Sequence, residues 1–389
     1  MINILIADDS AFMRKVLSDL FTRQSDFNVV GVAINGEDAI DKVLRYKPDV
    51  LTMDINMPIM DGLLALKVIM EECPLPVIMF SSLTKEGADA TVMALGLGAV
   101  DFISKTNGAI SKIDAIEEEI LQKCRAAVKV NLNMGIESKN RMLLKKRGLP
   151  TVELQNPEKI ARPYPVEKPV AMVKPVVMQI QKKTMETVPA APITAFFERG
   201  ADKLVAIGTS TGGPRALQNV ITQLPKNMPC GVVIVQHMPP GFTRSLAERL
   251  DTISQISVKE AENQEIIEAG HVYIAPGNYH MVVQKKGMSK VILLNQDPPL
   301  ASHRPAVDVL FDSVAPFGRQ VVSVILTGMG SDGSQGMKKI KAAGGYIIAE
   351  DESTAVVYGM PKAVVDLGIA DKVLPLQHVA EAIIDAVKK

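Results

Sequence analysis

The stretch VLTMDINMPIMDG, Val50–Gly62, contains the pattern that decides the fold of the first part of the chain. It opens with a short apolar run, Val50–Met53, and a carboxylate, Asp54, follows at once. Such runs, rich in β-branched residues and nearly uninterrupted, are typical of parallel strands buried on both faces. Four others share this character: Ile2–Ala7, Val29–Ala33, Val77–Phe80 and Ala99–Ile103.

Amphipathic stretches such as Ala11–Phe21 and Glu37–Leu44 separate these apolar runs. Five strand–helix repeats predict a flavodoxin-like (βα)5 domain over residues 1–128, with helices on both faces of a parallel sheet. Ligands bind such sheets beyond the carboxyl ends of the strands. Candidate functional residues are therefore those that follow a strand.

Residues 129–200 differ from their flanks because prolines are interleaved with Lys, Glu and Gln: Pro150, Pro157, Pro163, Pro165, Pro169, Pro175, Pro189 and Pro192. This composition favours a flexible linker over its alternative, a long structured crossover. The strand–helix rhythm then resumes over residues 201–389. Its strand-like runs predict a doubly wound, parallel-sheet α/β domain: Leu204–Ile207, Gly231–Val235, Val272–Ala275, Val321–Leu326 and Tyr346–Ala349.

The overall composition narrows the class of protein. The 389 residues include 43 Lys and Arg and 43 Asp and Glu, so the net charge of zero argues against binding to nucleic acid or an anionic membrane. Cys73, Cys124 and Cys230 are too widely spaced for a disulfide framework or a zinc site. No apolar run approaches the roughly 20 residues of a membrane helix. We therefore expect a cytoplasmic protein without membrane insertion.

Carboxylates follow two strands of the first domain. Asp8 and Asp9 close the first strand, and Asp54 closes the third. Because these positions open onto one rim, the three groups should crowd together and repel unless a cation bridges them. Oxygen ligands of this kind suit Mg²⁺. A carboxylate beside Mg²⁺ can attack a phosphoryl group and form an aspartyl phosphate.

Two more polar groups belong to this rim, since Ser81 ends the fourth predicted strand and Lys105 follows the fifth. A hydroxyl and an ammonium there can hold phosphoryl oxygens. The alternative for each group alone is an ordinary strand-end cap or a solvated charge. Five suitable groups on one rim favour a phosphorylation site.

Residues 1–128 resemble a response-regulator receiver domain over their whole length, most specifically in Met53–Gly62. This resemblance implies that Asp54 is the phosphoacceptor, and that Asp8 and Asp9 bind Mg²⁺ with the backbone carbonyl of Asn56. It also implies that Ser81 is the switch hydroxyl and that Lys105 contacts the phosphate. One position departs from the family pattern: Thr106 stands where a proline usually follows this lysine.

In the second domain, the strand Leu204–Ile207 runs into GTSTGGP, Gly208–Pro214, before a helical pattern begins. The spacing of the glycines around Ser210 has the form of a nucleophile elbow. Amides at the helix start are candidates for stabilising an oxyanion. A Walker A phosphate loop is excluded, because Pro214 and Arg215 stand where Lys and Ser or Thr are required. A plain strand–helix turn with a serine cap stays open.

A serine nucleophile needs a base and a group that orients the base. His237 ends the strand after Ser210, and Asp332 follows the strand Val321–Leu326, so all three can meet above one sheet. The alternatives are a loop histidine before prolines and a turn aspartate before glycine. Three other histidines compete as bases on composition alone, one of which, His303, is also a candidate for substrate binding: His271, His280 and His303.

The loop that contains Asp332 also matches a dinucleotide-binding fingerprint, Gly328-x-Gly330-x-x-Gly333, with Glu350 at the end of the next strand. An NAD-dependent oxidoreductase is therefore an alternative. Against it, this strand–helix unit lies late in its domain, whereas the fingerprint usually opens one. It also leaves Ser210 and His237 without a role. A third class is a non-enzymatic, phosphorylation-switched binding module.

Residues 203–375 resemble the catalytic domain of the chemotaxis protein-glutamate methylesterases. Four stretches in family order account for the resemblance: Ile207–Gly213, Gln236–Thr243, His303–Asp308 and Ile325–Gly333. The resemblance implies Ser210 as nucleophile, His237 as base and Asp332 as its partner. Met329, Thr211 and His303 are candidates for the oxyanion or substrate site.

The same resemblance implies a function for the whole chain. The substrates are methylated glutamates, and also glutamines, on methyl-accepting chemotaxis receptors, and the phosphodonor is the chemotaxis histidine kinase. Mg²⁺ serves phosphorylation of the receiver, and the esterase reaction needs no cofactor. The unphosphorylated receiver is expected to cover the catalytic rim and to move away once Asp54 is phosphorylated.

Overall fold

A computed structural model describes residues 1–105, 113–130 and 203–388. The predicted linker, apart from Lys129 and Val130, lies outside these ranges, and so does Thr106. Among the described residues, no helix combines the length and apolarity that crossing a bilayer requires.

The first sheet has five parallel strands in the order β2-β1-β3-β4-β5. They are β1 Ile2–Ala7, β2 Phe27–Ala33, β3 Val50–Asp54, β4 Val77–Ser82 and β5 Asp101–Lys105. The helices between and after them are α1 Ala11–Thr22, α2 Gly36–Tyr46, α3 Gly62–Glu72, α4 Lys85–Leu97 and α5 Ile113–Ala127. This arrangement confirms the predicted flavodoxin-like fold.

Short polar side chains start the first four helices. Each accepts a hydrogen bond from a backbone amide of the first turn, which has no partner within the helix. The capping residues are Ser10 for α1, Asn35 for α2, Asp61 for α3 and Thr84 for α4. These caps fix the distance between each strand end and the next helix, and so shape the rim.

The second domain is built on seven parallel strands in the order β14-β13-β12-β6-β7-β9-β8. They are β6 Leu204–Thr209, β7 Gly231–Gln236, β8 Ser257–Glu260, β9 His271–Ile274, β12 Val321–Ile325, β13 Tyr346–Glu350 and β14 Lys372–Leu374. The helices are α6 Gly213–Ile221, α7 Phe242–Ile253, α8 Val307–Val314, α9 Ser334–Ala342, α10 Met360–Asp366 and α11 Val379–Lys388. The predicted parallel-sheet α/β class is confirmed.

Several elements were not predicted. An antiparallel hairpin, β10 His280–Lys286 and β11 Ser289–Asn295, turns at Gly287, whose φ of 63° is in the left-handed region. The short strands β8 and β14 lie at the two edges of the sheet and contain few apolar residues. Both strands are only partly buried, so a search for continuous apolar runs misses them.

The two domains pack against each other. Helix α4 of the first domain contacts α6 and α7 of the second. On the first sheet, Phe102 in β5 stacks on Phe242 at the start of α7, with ring centroids 4.8 Å apart and an interplanar angle of 12°. This contact places β5 and α5 beside the strand ends of the second sheet.

Candidate functional site

Ser210 lies between β6 and α6, where the chain turns sharply above the second sheet. Its amide donates to the carbonyl of Thr327 over 3.0 Å. Gly212 has a φ of 78°, and a Cβ there would lie 2.5 Å from the Cβ of Val356. Only glycine fits that position, because it combines a left-handed backbone with a close neighbour. The turn presents Ser210 at the strand's carboxyl end, as predicted.

His237 connects Ser210 to Asp332. Its Nδ1 lies 3.1 Å from Ser210 Oγ, and its Nε2 lies 2.8 Å from Asp332 Oδ2. Two amides at the start of α8 also donate to this carboxylate, Val307 at 2.7 Å and Asp308 at 2.8 Å. The three predicted residues are therefore joined in one hydrogen-bonded chain.

The surroundings of Asp332 decide its charge. Burial raises its pKa, but the hydrogen bond and charge of His237, with the amides of Val307 and Asp308, outweigh burial and lower the pKa. An ionised Asp332 has no proton to donate, so it accepts the proton on Nε2 of His237. Nδ1 is then free to accept from Ser210. The arrangement can remove a proton from the serine hydroxyl.

His303 stacks on the His237 ring, with centroids 3.8 Å apart and an interplanar angle of 9°. Burial, followed by the charge of His237, lowers the pKa of His303 to about 4. His303 is therefore neutral at neutral pH. The other two competing histidines bond elsewhere: His271 Nδ1 lies 3.0 Å from the carbonyl of Ala269, and His280 Nδ1 accepts from the amide of Ala306.

A cavity of about 640 Å³ lies above Ser210 and His237. From the second domain, Thr211, His303 and Met329 also line it. The first domain contributes the facing wall, which consists of residues from β5 and α5: Asp101, Phe102, Ser104, Glu118, Glu119, Gln122 and Lys123. The site is thus enclosed by both domains.

The receiver was expected to cover the catalytic rim, but the residues that form this facing wall were not predicted from the sequence. Lys123 donates to the carbonyl of Phe102 over 2.7 Å and lies within 2.9 Å of Glu119, so it ties α5 to β5 at the edge of the cavity. In the sequence, Lys123 belongs to an ordinary amphipathic helix. No local pattern distinguishes a solvated helix face from one that a second domain covers.

The dinucleotide-binding alternative is wrong for the Gly328 loop. Glu350, which would bind a ribose, is 0% exposed and accepts from the amide of Thr327 over 2.8 Å. A Cβ at Gly328 would lie 2.9 Å from the Cβ of Ser210. The glycine therefore permits close packing against the serine turn. A buried carboxylate that is already bonded cannot contact a cofactor sugar.

On the first sheet, Asp8, Asp9 and Asp54 each offer one carboxylate oxygen within 4.8 Å of the others. Lys105 bridges two of them, with Nζ 3.1 Å from Asp8 Oδ2 and 2.7 Å from Asp54 Oδ2. Burial alone would lower the pKa of Lys105, but its hydrogen bonds and the two negative charges raise it instead. Such a cluster of oxygens fits a divalent cation that prefers oxygen ligands.

The remaining predicted rim residues are placed differently. Lys105 is the last residue of β5 rather than one beyond it, because β5 extends to pair Lys105 with Ser82. Ser81 is inside β4, and its hydroxyl donates to the carbonyl of Gly87 over 2.9 Å. Asn56 is exposed, and its amide donates to the carboxylate of Asp54.

Comparisons with known proteins agree with this geometry. Residues 4–117 match the family model of the response regulator receiver domain, and residues 205–383 match that of the CheB methylesterase. A relative from Symbiobacterium thermophilum, named protein-glutamate methylesterase/protein-glutamine glutaminase, is 46% identical over 99% of this chain and 97% of its own. This chain belongs to the protein-glutamate methylesterase/protein-glutamine glutaminase family.

The methylesterase family membership confirms the resemblance stated from the sequence and makes the chain a hydrolase. A relative with the same name from Pyrococcus abyssi is 42% identical and spans 100% of this chain and 94% of its own. The catalytic domain of the Thermotoga maritima CheB methylesterase, a crystal structure, is 49% identical over 47% of this chain and 97% of its own, with a TM-score of 0.47. Receiver domains of this kind are generally phosphorylated with Mg²⁺ bound.

Proposed function

We propose that this chain hydrolyses glutamate γ-methyl esters, and the side-chain amides of glutamines, on methyl-accepting chemotaxis receptors when its receiver domain is phosphorylated. The observation that carries the proposal is the hydrogen-bonded chain Ser210–His237–Asp332 at the floor of a cavity closed by the receiver. The names of full-length relatives supply the substrate class. The place of action is the cytoplasm, where the receptor helices that bear these glutamates lie.

Ser210 acts as the nucleophile. Its Oγ attacks the ester carbonyl carbon while Nδ1 of His237 takes the hydroxyl proton. The C–O bond to the methoxy group breaks, and His237 returns the proton so that methanol leaves. Water then attacks the acyl-enzyme by the same route and regenerates Ser210 and the glutamate. With glutamine, the C–N bond breaks and ammonia leaves instead.

The oxyanion of the tetrahedral intermediate needs hydrogen-bond donors beside Ser210. Thr211 follows the nucleophile and Met329 lies in the loop after β12, and both border the cavity. Their backbone amides are the donors that we assign to this role. His303 lies against the base and borders the same cavity, which places it to contact the substrate side chain.

In the receiver, Asp54 is the phosphoacceptor and the chemotaxis histidine kinase is the phosphodonor. Asp8, Asp9 and Asp54, with the backbone carbonyl of Asn56, are the ligands that we assign to Mg²⁺. Bound there, Mg²⁺ neutralises the charge of an incoming phosphoryl group. Lys105 lies beside Asp54 and contacts the phosphoryl oxygens, and Ser81 supplies the hydroxyl of the switch.

Phosphorylation controls access to the cavity through β5. Lys105 ends this strand at the phosphorylation site, and Phe102 of the same strand stacks on Phe242 beside the cavity. Lys105 is three residues from Phe102 along β5, so a change in the bonds of Lys105 can be transmitted through this strand to the interdomain contact. Movement of the receiver uncovers Ser210 for a receptor helix.

The test measures methanol release from methylated receptor membranes, with wild type compared to Ser210→Ala. Removing the nucleophile should reduce release to the uncatalysed level. Release that is catalysed equally by both proteins would exclude the serine mechanism, and release at the uncatalysed level by both would favour a non-enzymatic binding module. Ammonia release from receptors that bear glutamine, measured with the same two proteins, tests the deamidation reaction separately.

A further inference from the structure

Glu350 is a buried acid next to the loop that follows β12 and carries Asp332. It is the last residue of β13, and both of its carboxylate oxygens accept hydrogen bonds. Oε2 accepts from the amide of Thr327 over 2.8 Å, and Oε1 accepts from the hydroxyl of Thr354 over 3.1 Å. A carboxylate at 0% exposure is costly to keep in a protein interior, so its retention calls for a specific role.

Thr327 connects Glu350 to the nucleophile. The carbonyl of Thr327 accepts from the amide of Ser210 over 3.0 Å and from the hydroxyl of Thr209 over 3.0 Å. Its own hydroxyl donates to the carbonyl of Thr211 over 2.9 Å. This single residue therefore bonds to the residue before the nucleophile, to the nucleophile and to the residue after it.

The same residue begins the loop that carries Met329 and Asp332. The next residue, Gly328, packs so closely on Ser210 that a Cβ would lie 2.9 Å from the serine Cβ. A displacement of the Thr327 backbone would move both its bonding partner Ser210 and the start of this loop. Displacements of about 1 Å at a reacting group can cost on the order of a hundredfold in rate.

We propose that Glu350 is a positioning residue for the nucleophile: its ionised carboxylate holds the amide of Thr327 and so fixes the backbone of this residue, whose carbonyl orients Ser210. The inference rests on the proposed role of Ser210. A charged acceptor binds an amide more strongly than a neutral one does. Protonation of Glu350 therefore weakens its hydrogen bond with the amide of Thr327, leaves the Thr327 backbone less fixed and lowers the rate of the chemical step.

The surroundings of Glu350 place its ionisation in the neutral range. Its pKa is raised to about 7, chiefly by burial and to a smaller extent by the charge of Asp351, against the hydrogen bonds of Thr327 and Thr354. Leu374 of strand β14 is the register partner of Glu350. The described residues of α9, α10 and α11, which pack on β13, include no buried charge. Asp351 is thus the charged neighbour to consider.

The experiment measures kcat and KM for methanol release by the full chain with a phosphodonor, from about pH 6 to about pH 9. Glu350→Gln keeps the size of the side chain and an oxygen for Thr327, but it cannot ionise. Asp351→Asn is the matched control, because its carboxylate lies next in sequence and bonds to Ser353 instead. Thermal unfolding of each variant checks that it folds.

We expect Glu350→Gln to lower the plateau kcat on the order of tenfold, with KM within about twofold of wild type. We also expect the acid limb, the low-pH side of the pH–kcat profile, to lose one ionisation. Asp351→Asn should keep the plateau and move that limb to lower pH, since it removes a charge that raises the pKa of Glu350. A purely structural role predicts instead a pH profile of Glu350→Gln that runs parallel to wild type, and that result would overturn the proposal.

Failure of this inference can be distinguished from failure of the proposed function. If Ser210→Ala keeps its activity, the serine mechanism is wrong whatever Glu350 does. If Ser210→Ala is inactive while Glu350→Gln keeps the profile of wild type, only the positioning role is wrong. If Glu350→Gln does not fold, Asp351→Asn decides. An acid side of its pH–kcat profile that coincides with that of wild type overturns the proposal, and one that is shifted to lower pH supports it.

Discussion

His237 faces Ser210 with Nδ1, the ring nitrogen nearer its own backbone, at 3.1 Å, and leaves Nε2 for Asp332. The backbone of His237 is itself fixed, because its amide donates to the carbonyl of Thr209 over 3.2 Å. The atom that takes the proton is thus separated from a fixed peptide by few rotatable bonds. Asp332 determines which nitrogen carries the resting proton, and this gives the first prediction.

Asp332→Asn should lower kcat on the order of 10⁴-fold with little change in KM. Val307 and Asp308 donate to different oxygens of Asp332, and asparagine keeps only one acceptor oxygen, so one of these bonds is lost. Asparagine also does not stabilise an imidazolium, and its NH2 group can favour the wrong tautomer of His237. Steady-state methanol release by the phosphorylated protein measures the effect. The control is Asp308→Asn, whose carboxylate accepts from the amide of Gly336 over 2.7 Å and does not contact His237. A loss of less than about tenfold in Asp332→Asn would contradict this role.

His303 gives a prediction about stability and pH. Its pKa is about 4 in the folded protein against 6.5 for an unperturbed histidine, so between these values the unfolded chain binds a proton that the folded chain does not. Stability should therefore fall as the pH falls through this window, by at most ~3 kcal/mol. His303→Phe keeps an aromatic ring against His237 but cannot titrate.

The measurement is the unfolding midpoint of wild type and His303→Phe in urea at several pH values within that window. The variant should lose less stability than wild type as the pH falls. Equal slopes would show that His303 does not contribute to the pH dependence. His271→Phe is the control, because His271 is partly exposed and lies outside the stacked pair.

Strand ends explain why much of the site was predictable from the sequence. Ser210, His237 and Asp332 each follow a strand of one parallel sheet, and strand direction alone brings such positions to one rim. Glu350 shows the limit of the same rule. It also ends a strand, but only the folded structure shows that this carboxylate is buried and accepts from Thr327 and Thr354.

The wall formed by β5 and α5 could not be predicted for a different reason. Gln122 and Lys123 lie on a helix whose sequence pattern states only which face is apolar. Which domain covers the opposite face depends on docking of α4 against α6 and α7, through contacts far apart in sequence. The identity of Phe102 as an interdomain contact has the same origin.

Removal of Mg²⁺ should affect the phosphorylation site but not the esterase site. Chelation of Mg²⁺ should abolish the increase in methanol release that a small-molecule phosphodonor causes, but leave basal release unchanged. The reason is that Asp8 and Asp54 belong to the receiver rim and do not line the catalytic cavity. Asp54→Asn is the control, since it should also lack the increase while Mg²⁺ is present. Loss of basal release on chelation would indicate a metal in the esterase reaction.

The final prediction concerns the contact between Phe102 and Phe242. A stacked aromatic pair contributes about 0.5–1.5 kcal/mol beyond its buried area, which corresponds to about two- to tenfold in the ratio of open to closed receiver. Phe102→Leu should therefore raise basal methanol release of the unphosphorylated protein by about that factor, with the phosphorylated rate unchanged. Phe27→Leu is a matched control, because Phe27 pairs with Phe21 inside the receiver at 5.0 Å. If both variants change basal release equally, loss of receiver stability, rather than loss of the interdomain contact, explains the effect.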